Sequence, residues 1–126
     1  MIKLTFFVFT FGLISAQICA QTIQLNANEF EKKLTSIKDK TVLDVRTKEE
    51  YTQGHLANAT MIDYYKDDFK QQLTKLDKSK PIFVYCAAGG RSGSACKLLQ
   101  DLGFSRIFDL QGGMRAWTGA NKPVAK

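Results

Sequence analysis

An α/β domain with a mainly parallel sheet is the fold class this sequence predicts, and three observations predict it. After Gln21, short β-rich runs alternate with helical patterns. A central apolar run from Pro81 to Tyr85 leads straight into a glycine-bearing loop and a helix start. The chain has 126 residues, 44% hydrophobic and 24% charged, enough length for one core but not two, and no repeat or linker interrupts it.

Thr22 to Leu25 is a short first strand. Asn26 reads as an N-cap with Glu29 three residues on, opening an amphipathic helix through Phe30, Leu34 and Ile37. Thr41 to Val45 is a buried strand, Lys48 to Gln53 a short helix closed by Gly54, and Thr60 to Ile62 another strand. Asp67 to Leu76 is expected to be a helix with Phe69, Leu73 and Leu76 inward. Pro81 starts the central strand. The next helix begins near Arg91, turns Ala95, Leu98, Leu99 and Leu102 inward, and ends at Gly103. Arg106 to Asp109 is the last strand, and Met114 to Trp117 begins a final helical turn after Gly112-Gly113.

Residues 1–20 differ in kind: one lysine at position 3, an apolar run from Leu4 to Ile14, then small and polar residues to Ala20. They read as a secretory signal peptide, so the domain is expected over residues 21–126, exported to the periplasm or secreted after cleavage. The apolar run is too short for a comfortable membrane span, and no later stretch reaches that length, so no stable membrane insertion is expected. A lipid-bearing Cys19 is the lesser alternative, since that signal wants a small residue where Ile18 stands. The net charge is +6, but the lysines are scattered with no interleaved aromatic stripe. That pattern argues against nucleic acid as a partner and suits anionic small molecules.

The run Ile82 to Gly93 carries the chemistry. A buried strand ends on Cys86, the loop Ala87-Ala88-Gly89-Gly90-Arg91-Ser92 follows, and a helix begins. A thiol becomes a nucleophile when positive charge lowers its pKa, and the N–H groups of a tight loop and a helix N-terminus supply such charge. Gly89 and Gly90 permit the backbone conformations that such a nest requires. Arg91 is expected to add a full cation facing the loop. An inert core cysteine seldom sits just before a Gly-Gly-Arg-Ser loop. Cys96, beside the apolar helix face, reads as packing, and its spacing from Cys86 argues against a disulfide.

Ligands of open parallel sheets bind beyond the carboxyl ends of strands, where Cys86 lies and where Asp44-Val45-Arg46 ends another strand. If the two strands are neighbours, Asp44 is placed to accept loop N–H groups and Arg46 to anchor the loop. The plain alternative is a strand-end salt bridge.

Three motifs together resemble the rhodanese-like domain family over nearly the whole of residues 21–126. They are Asp44-Val45-Arg46 followed by Glu50-Tyr51 and Gly54-His55-Leu56-Ala57-Asn58-Ala59; the loop Cys86 to Arg91 with Ser92; and Gly112-Gly113 with Trp117. The resemblance implies a three-layer α/β/α fold with a five-stranded parallel sheet in the order 1-5-4-2-3. It implies a sulfurtransferase in which Cys86 takes a sulfane sulfur from thiosulfate, a persulfide or a polysulfide, and passes it to cyanide or a thiol. No cofactor or metal is implied. A protein donor or acceptor also fits, as does a non-catalytic or sulfur-carrier module that binds a partner.

The spacing here is C-x4-R, whereas phosphatase and arsenate reductase relatives of the fold carry C-x5-R, a cradle for a tetrahedral oxyanion. Ala87 and Ala88 stand where thiosulfate-specialised members often place cations, which weakens thiosulfate as the natural donor. His55, Tyr51 and Trp117 read as structural.

Overall fold

The computed structural model describes residues 21–126 together with Gly12 and Leu13; the expected leader over residues 1–20, its Cys19 included, otherwise lies outside the described residues. Ten elements follow in order: β1 (Thr22–Leu25), α1 (Ala27–Ser36), β2 (Thr41–Asp44), α2 (Lys48–Gln53), β3 (Thr60–Met61), α3 (Phe69–Leu73), β4 (Ile82–Tyr85), α4 (Gly90–Asp101), β5 (Ile107–Leu110) and α5 (Gly113–Gly119). The strands form one parallel sheet ordered β1-β5-β4-β2-β3.

Strand β4 sits at the centre because its residues, apolar apart from one tyrosine hydroxyl, can be buried on both faces, as a parallel sheet covered by helices requires. Alternation divides its side chains. Ile82 and Val84, with Cys86 beyond, pack with Ala95, Cys96 and Leu99 of α4 and Phe69 and Leu73 of α3. Phe83 and Tyr85 pack on the opposite face with Phe30 of α1 and with Met114 and Trp117 of α5. Phe30 meets Phe83 edge-on at 5.3 Å between ring centroids, a geometry that aromatic quadrupoles favour. The result is two apolar layers around one sheet, the expected three-layer architecture. No helix among the described residues is long and apolar enough to cross a membrane.

The largest departure from expectation is α3, which is helical only over Phe69–Leu73 rather than Asp67 to Leu76. Asp68 makes no side-chain cap. After Leu73 the chain tightens: the N–H groups of Thr74, Lys75 and Leu76 donate to carbonyls three residues back. Leu76 nevertheless packs against the core as its spacing suggested. Strand ends differ by one residue, although Ile62 still donates to the Asp44 carbonyl and Val45 to that of Tyr85.

Candidate active site

Cys86 follows the carboxyl end of β4, so the strand's alternation turns its side chain toward the start of α4. The loop then reverses through Gly89, whose φ of 115° is left-handed and suits glycine. This reversal aims the Gly89 N–H at Cys86 Sγ, 3.0 Å away. The fully buried Ser92, in the first turn of α4, brings its Oγ to 3.4 Å from the same sulfur and also donates to the Gly89 carbonyl at 3.2 Å. Cys86 itself is only 1% exposed. Burial alone would raise its pKa, but the Ser92 hydroxyl and the N–H groups of Ser92, Gly89 and Ala88 outweigh it, and the thiol is held below its ordinary value. A buried sulfur that meets the Gly89 N–H and the Ser92 hydroxyl at the start of a twelve-residue helix is a place where negative charge is welcome. Ala87 is half-buried, while Ala88 and Gly90 face solvent.

Helix α5 braces this loop from behind. The Met114 N–H donates to the Cys86 carbonyl at 2.8 Å and the Arg115 N–H to that of Ala87 at 3.0 Å. Only glycine fits at position 113: φ is +58°, and a Cβ there would stand 2.5 Å from the Cys86 carbonyl oxygen and 2.7 Å from the Ala87 carbonyl carbon. The Gly112-Gly113 pair, read from sequence as a helix start, is thus also the surface on which the loop rests.

Arg91 is engaged by a partner outside the loop. Its guanidinium forms a two-pronged pair with Glu50 of α2, at 2.7 and 2.9 Å, and lies over the Tyr65 ring. The Arg91 hydrogen bonds draw the Glu50 pKa down to about 2 despite partial burial, with help from Thr47. Glu50 and Thr47 also form the capping box that opens α2. Arg91 therefore ties α4 to α2, while its charge still acts on the nearby Cys86 sulfur. The C-x4-R pattern located the residue, but its partner lies 41 positions away and could not be read from the spacing.

Asp44 accepts no loop N–H, contrary to expectation. It is fully buried and pairs with Arg46 at 2.7 Å, and its Oδ2 accepts the Tyr85 hydroxyl at 2.6 Å. The Tyr85 oxygen in turn accepts the Leu56 N–H at 3.0 Å. Arg46 reaches the Gly54 carbonyl at 2.7 Å instead of anchoring the loop. The salt-bridge alternative thus describes the pair, in buried rather than surface form, and it joins the end of α2 to the strand ends. Arg46, Glu50, Gly54, Ala87, Met114 and Arg115 line a cleft of about 330 Å³ beside the loop.

His55 stacks on Tyr51 at 3.8 Å, its Nδ1 lies 3.0 Å from the Tyr51 carbonyl, and its backbone pairs with Ala125. Trp117 packs at Phe30 and donates to the Pro123 carbonyl. Cys96 is buried, and burial pushes its thiol up. Nothing in the sequence pattern singles out Asp109, a buried carboxyl group in the otherwise apolar β5.

The rhodanese-like domain model matches residues 26–120. Over 97 residues the chain is 35% identical to the thiosulfate sulfurtransferase GlpE of Coxiella burnetii, covering 77% of this chain and 85% of that one. It is 26% identical over 101 residues to a sulfurtransferase of Allochromatium vinosum, covering 80% and 92% respectively. Among solved structures, a rhodanese-related protein from Thermoplasma volcanium superposes with a TM-score of 0.72 at 30% identity, covering 82% of this chain and 97% of that chain.

Proposed function

The chain belongs to the rhodanese-like domain family, and on that premise we propose that it is a sulfurtransferase working through a persulfide on Cys86. The carrying observation is the sulfur's setting: Sγ receives the Gly89 N–H and adjoins the Ser92 hydroxyl, while the one loop arginine is engaged by Glu50. Such a site favours an anionic sulfur.

The reaction is two displacements. The Cys86 thiolate attacks the outer sulfur of a sulfane donor; a sulfur–sulfur bond forms, and the donor's remainder leaves with the electron pair of the bond that breaks. With thiosulfate the leaving group is sulfite. The terminal sulfur of the resulting persulfide is anionic and sits where the loop donors stabilise it. Cyanide or a thiolate then attacks that sulfur, leaving as thiocyanate or a new persulfide, and Cys86 departs as the thiolate it began as. No net oxidation occurs. The names of the similar sulfurtransferases support the class, and Ala87 and Ala88 argue for a persulfide, a polysulfide or a protein donor ahead of thiosulfate. Residues 1–20 support export of the domain to the periplasm or beyond the cell.

The test is a panel of thiosulfate, glutathione persulfide, polysulfide and an aryl phosphate, with cyanide and dithiothreitol as acceptors. Transfer from at least one sulfane donor without phosphate hydrolysis is expected. Phosphate hydrolysis without sulfur transfer would reject the reading.

A further inference from the structure

The cleft beside the loop holds a charge that the reaction so far leaves unused. Met114 and Arg115 form its α5 side, and their N–H groups hold the Cys86 and Ala87 carbonyls. Glu50 of α2 forms part of its other side and holds Arg91 at the far end of the loop. Three lining residues are charged: Arg46, Glu50 and Arg115. Arg46 is engaged by Asp44 and the Gly54 carbonyl, and Glu50 by Arg91. Arg115 is exposed, and no carboxylate among the described residues pairs with it. Its place follows from α5, which turns Met114 and Trp117 into the core and leaves residue 115 outward at the loop.

Each ion pair is neutral as a unit, so the charge the cleft presents is one guanidinium. That group binds carboxylates through two parallel hydrogen bonds. The loop itself offers only Ala87 and Ala88 just after the cysteine, so the cation for an anionic partner comes from α5 instead. Ala87, Met114 and Val124 give the cleft an apolar wall. Val124 is held there by its neighbours: Ala125 and His55 exchange backbone hydrogen bonds of 2.8 and 2.9 Å, and Trp117 donates to the Pro123 carbonyl at 2.8 Å. At about 330 Å³ the cleft is larger than a small inorganic anion fills. It reaches the range of about 300–1,000 Å³ in which organic ligands sit, with apolar walls and a few polar groups that fix orientation.

We propose that this cleft seats the organic part of the sulfur donor, a small persulfide bearing a carboxylate, and that Arg115 is the specificity-determining residue that binds the carboxylate. The proposal rests on the sulfurtransferase reading for the reaction that follows. The Cys86 thiolate attacks the terminal sulfur of the persulfide, and a sulfur–sulfur bond forms to Cys86. The donor's own sulfur–sulfur bond breaks, and the carboxylate-bearing thiolate leaves with its electron pair. The proton of the terminal sulfur travels with it to Cys86 and is then lost to solvent. Nothing is oxidised or reduced overall.

The experiment compares kcat/KM for two donors of equal length, the persulfides of 3-mercaptopropionate and 3-mercaptopropanol, with cyanide as acceptor. The native protein should favour the carboxylate by about threefold to fivefold, the scale of an exposed ion pair, and lose that preference at about 1 M salt. Arg115→Gln should remove the preference, Arg115→Lys should restore part of it, and Arg115→Glu should invert it. A second readout needs no transfer: 3-(methylthio)propionate, which has no sulfane sulfur to give, is titrated into the full chain while backbone amide NMR signals are followed. Gln53, Ala87 and Val124 should shift, with a Kd weakened about threefold to fivefold in Arg115→Gln. Transfer at equal rates from both donors, or a preference that survives Arg115→Gln, overturns the proposal and leaves the sulfurtransferase reading intact. So does a titration that moves none of the three residues. A titration that behaves as expected while neither donor transfers sulfur supports the carboxylate site and rejects the sulfurtransferase reading.

Discussion

Cys86 and Cys96 occupy the same apolar layer and are almost equally hidden, at 1% and 2% exposure, yet their thiols are pushed in opposite directions. Burial is the leading influence on both and raises both. The difference is what surrounds the sulfur. Cys86 stands at a strand end, where the loop turns N–H groups and the Ser92 hydroxyl toward it. Cys96 lies in the second turn of α4, where backbone N–H groups are spent inside the helix, and only the Thr22 side chain favours its ionised form. What sets the two thiols apart is therefore the donors around the sulfur, the Ser92 hydroxyl first and the loop N–H groups after it, since burial acts on both alike.

The largest effect should come from exchanging the two sulfurs' fates. Cys86→Ser should abolish sulfur transfer, while Cys96→Ala should keep most of it and lose about 1 kcal/mol of stability to a small void. Steady-state turnover and urea unfolding read both effects, and loss of transfer in Cys96→Ala alone would reverse the assignment.

A somewhat smaller effect is expected from disturbing the donors while keeping the sulfur. Gly113→Ala forces a Cβ against the Cys86 carbonyl oxygen and the Ala87 carbonyl carbon at a left-handed φ. It should destabilise by about 2 kcal/mol and make Cys86 behave more like Cys96, with slower alkylation at neutral pH. Normal alkylation kinetics in a well-folded Gly113→Ala would separate α5 from loop geometry.

Arg91→Ala should matter least. Its pair with Glu50 is partly solvated, so about 0.5–1 kcal/mol of stability is at stake, and the pH midpoint of Cys86 alkylation should move less than in Ser92→Ala. Glu50 titrates lower in the folded than in the unfolded chain, so the pair stabilises fully above the ordinary glutamate value of about 4.3. It loses that contribution as pH falls toward about 2. The gap in stability between native and Arg91→Ala protein should close over that window, which acid unfolding followed by circular dichroism would show.

Local patterns carried most of the architecture. Periodicity located the five strands, the Asn26 N-cap accepts the Glu29 N–H as its spacing suggested, and Cys86 stands at a strand end before a left-handed glycine. What local patterns could not convey was partnership at long range. Arg91 was a cation beside a cysteine in the sequence, but Glu50 claims it across the fold. Asp44 and Arg46 were rim residues by position, but Tyr85 and Gly54 draw them into a buried network. Asp109 gave no signal, because a carboxylate in a short strand reads as an exposed position until sheet register sets it under α4. The length of α3 was misjudged because apolar spacing persists through a tighter turn as readily as through an α-helix.

The most direct test of the contrast between the two cysteines is the mass of their peptides after incubation with a sulfane donor. The Cys86 peptide should gain one sulfur atom, lose it to cyanide or dithiothreitol, and do so unchanged in Cys96→Ala. Added sulfur on Cys96, or none on Cys86 while transfer proceeds, would contradict the account.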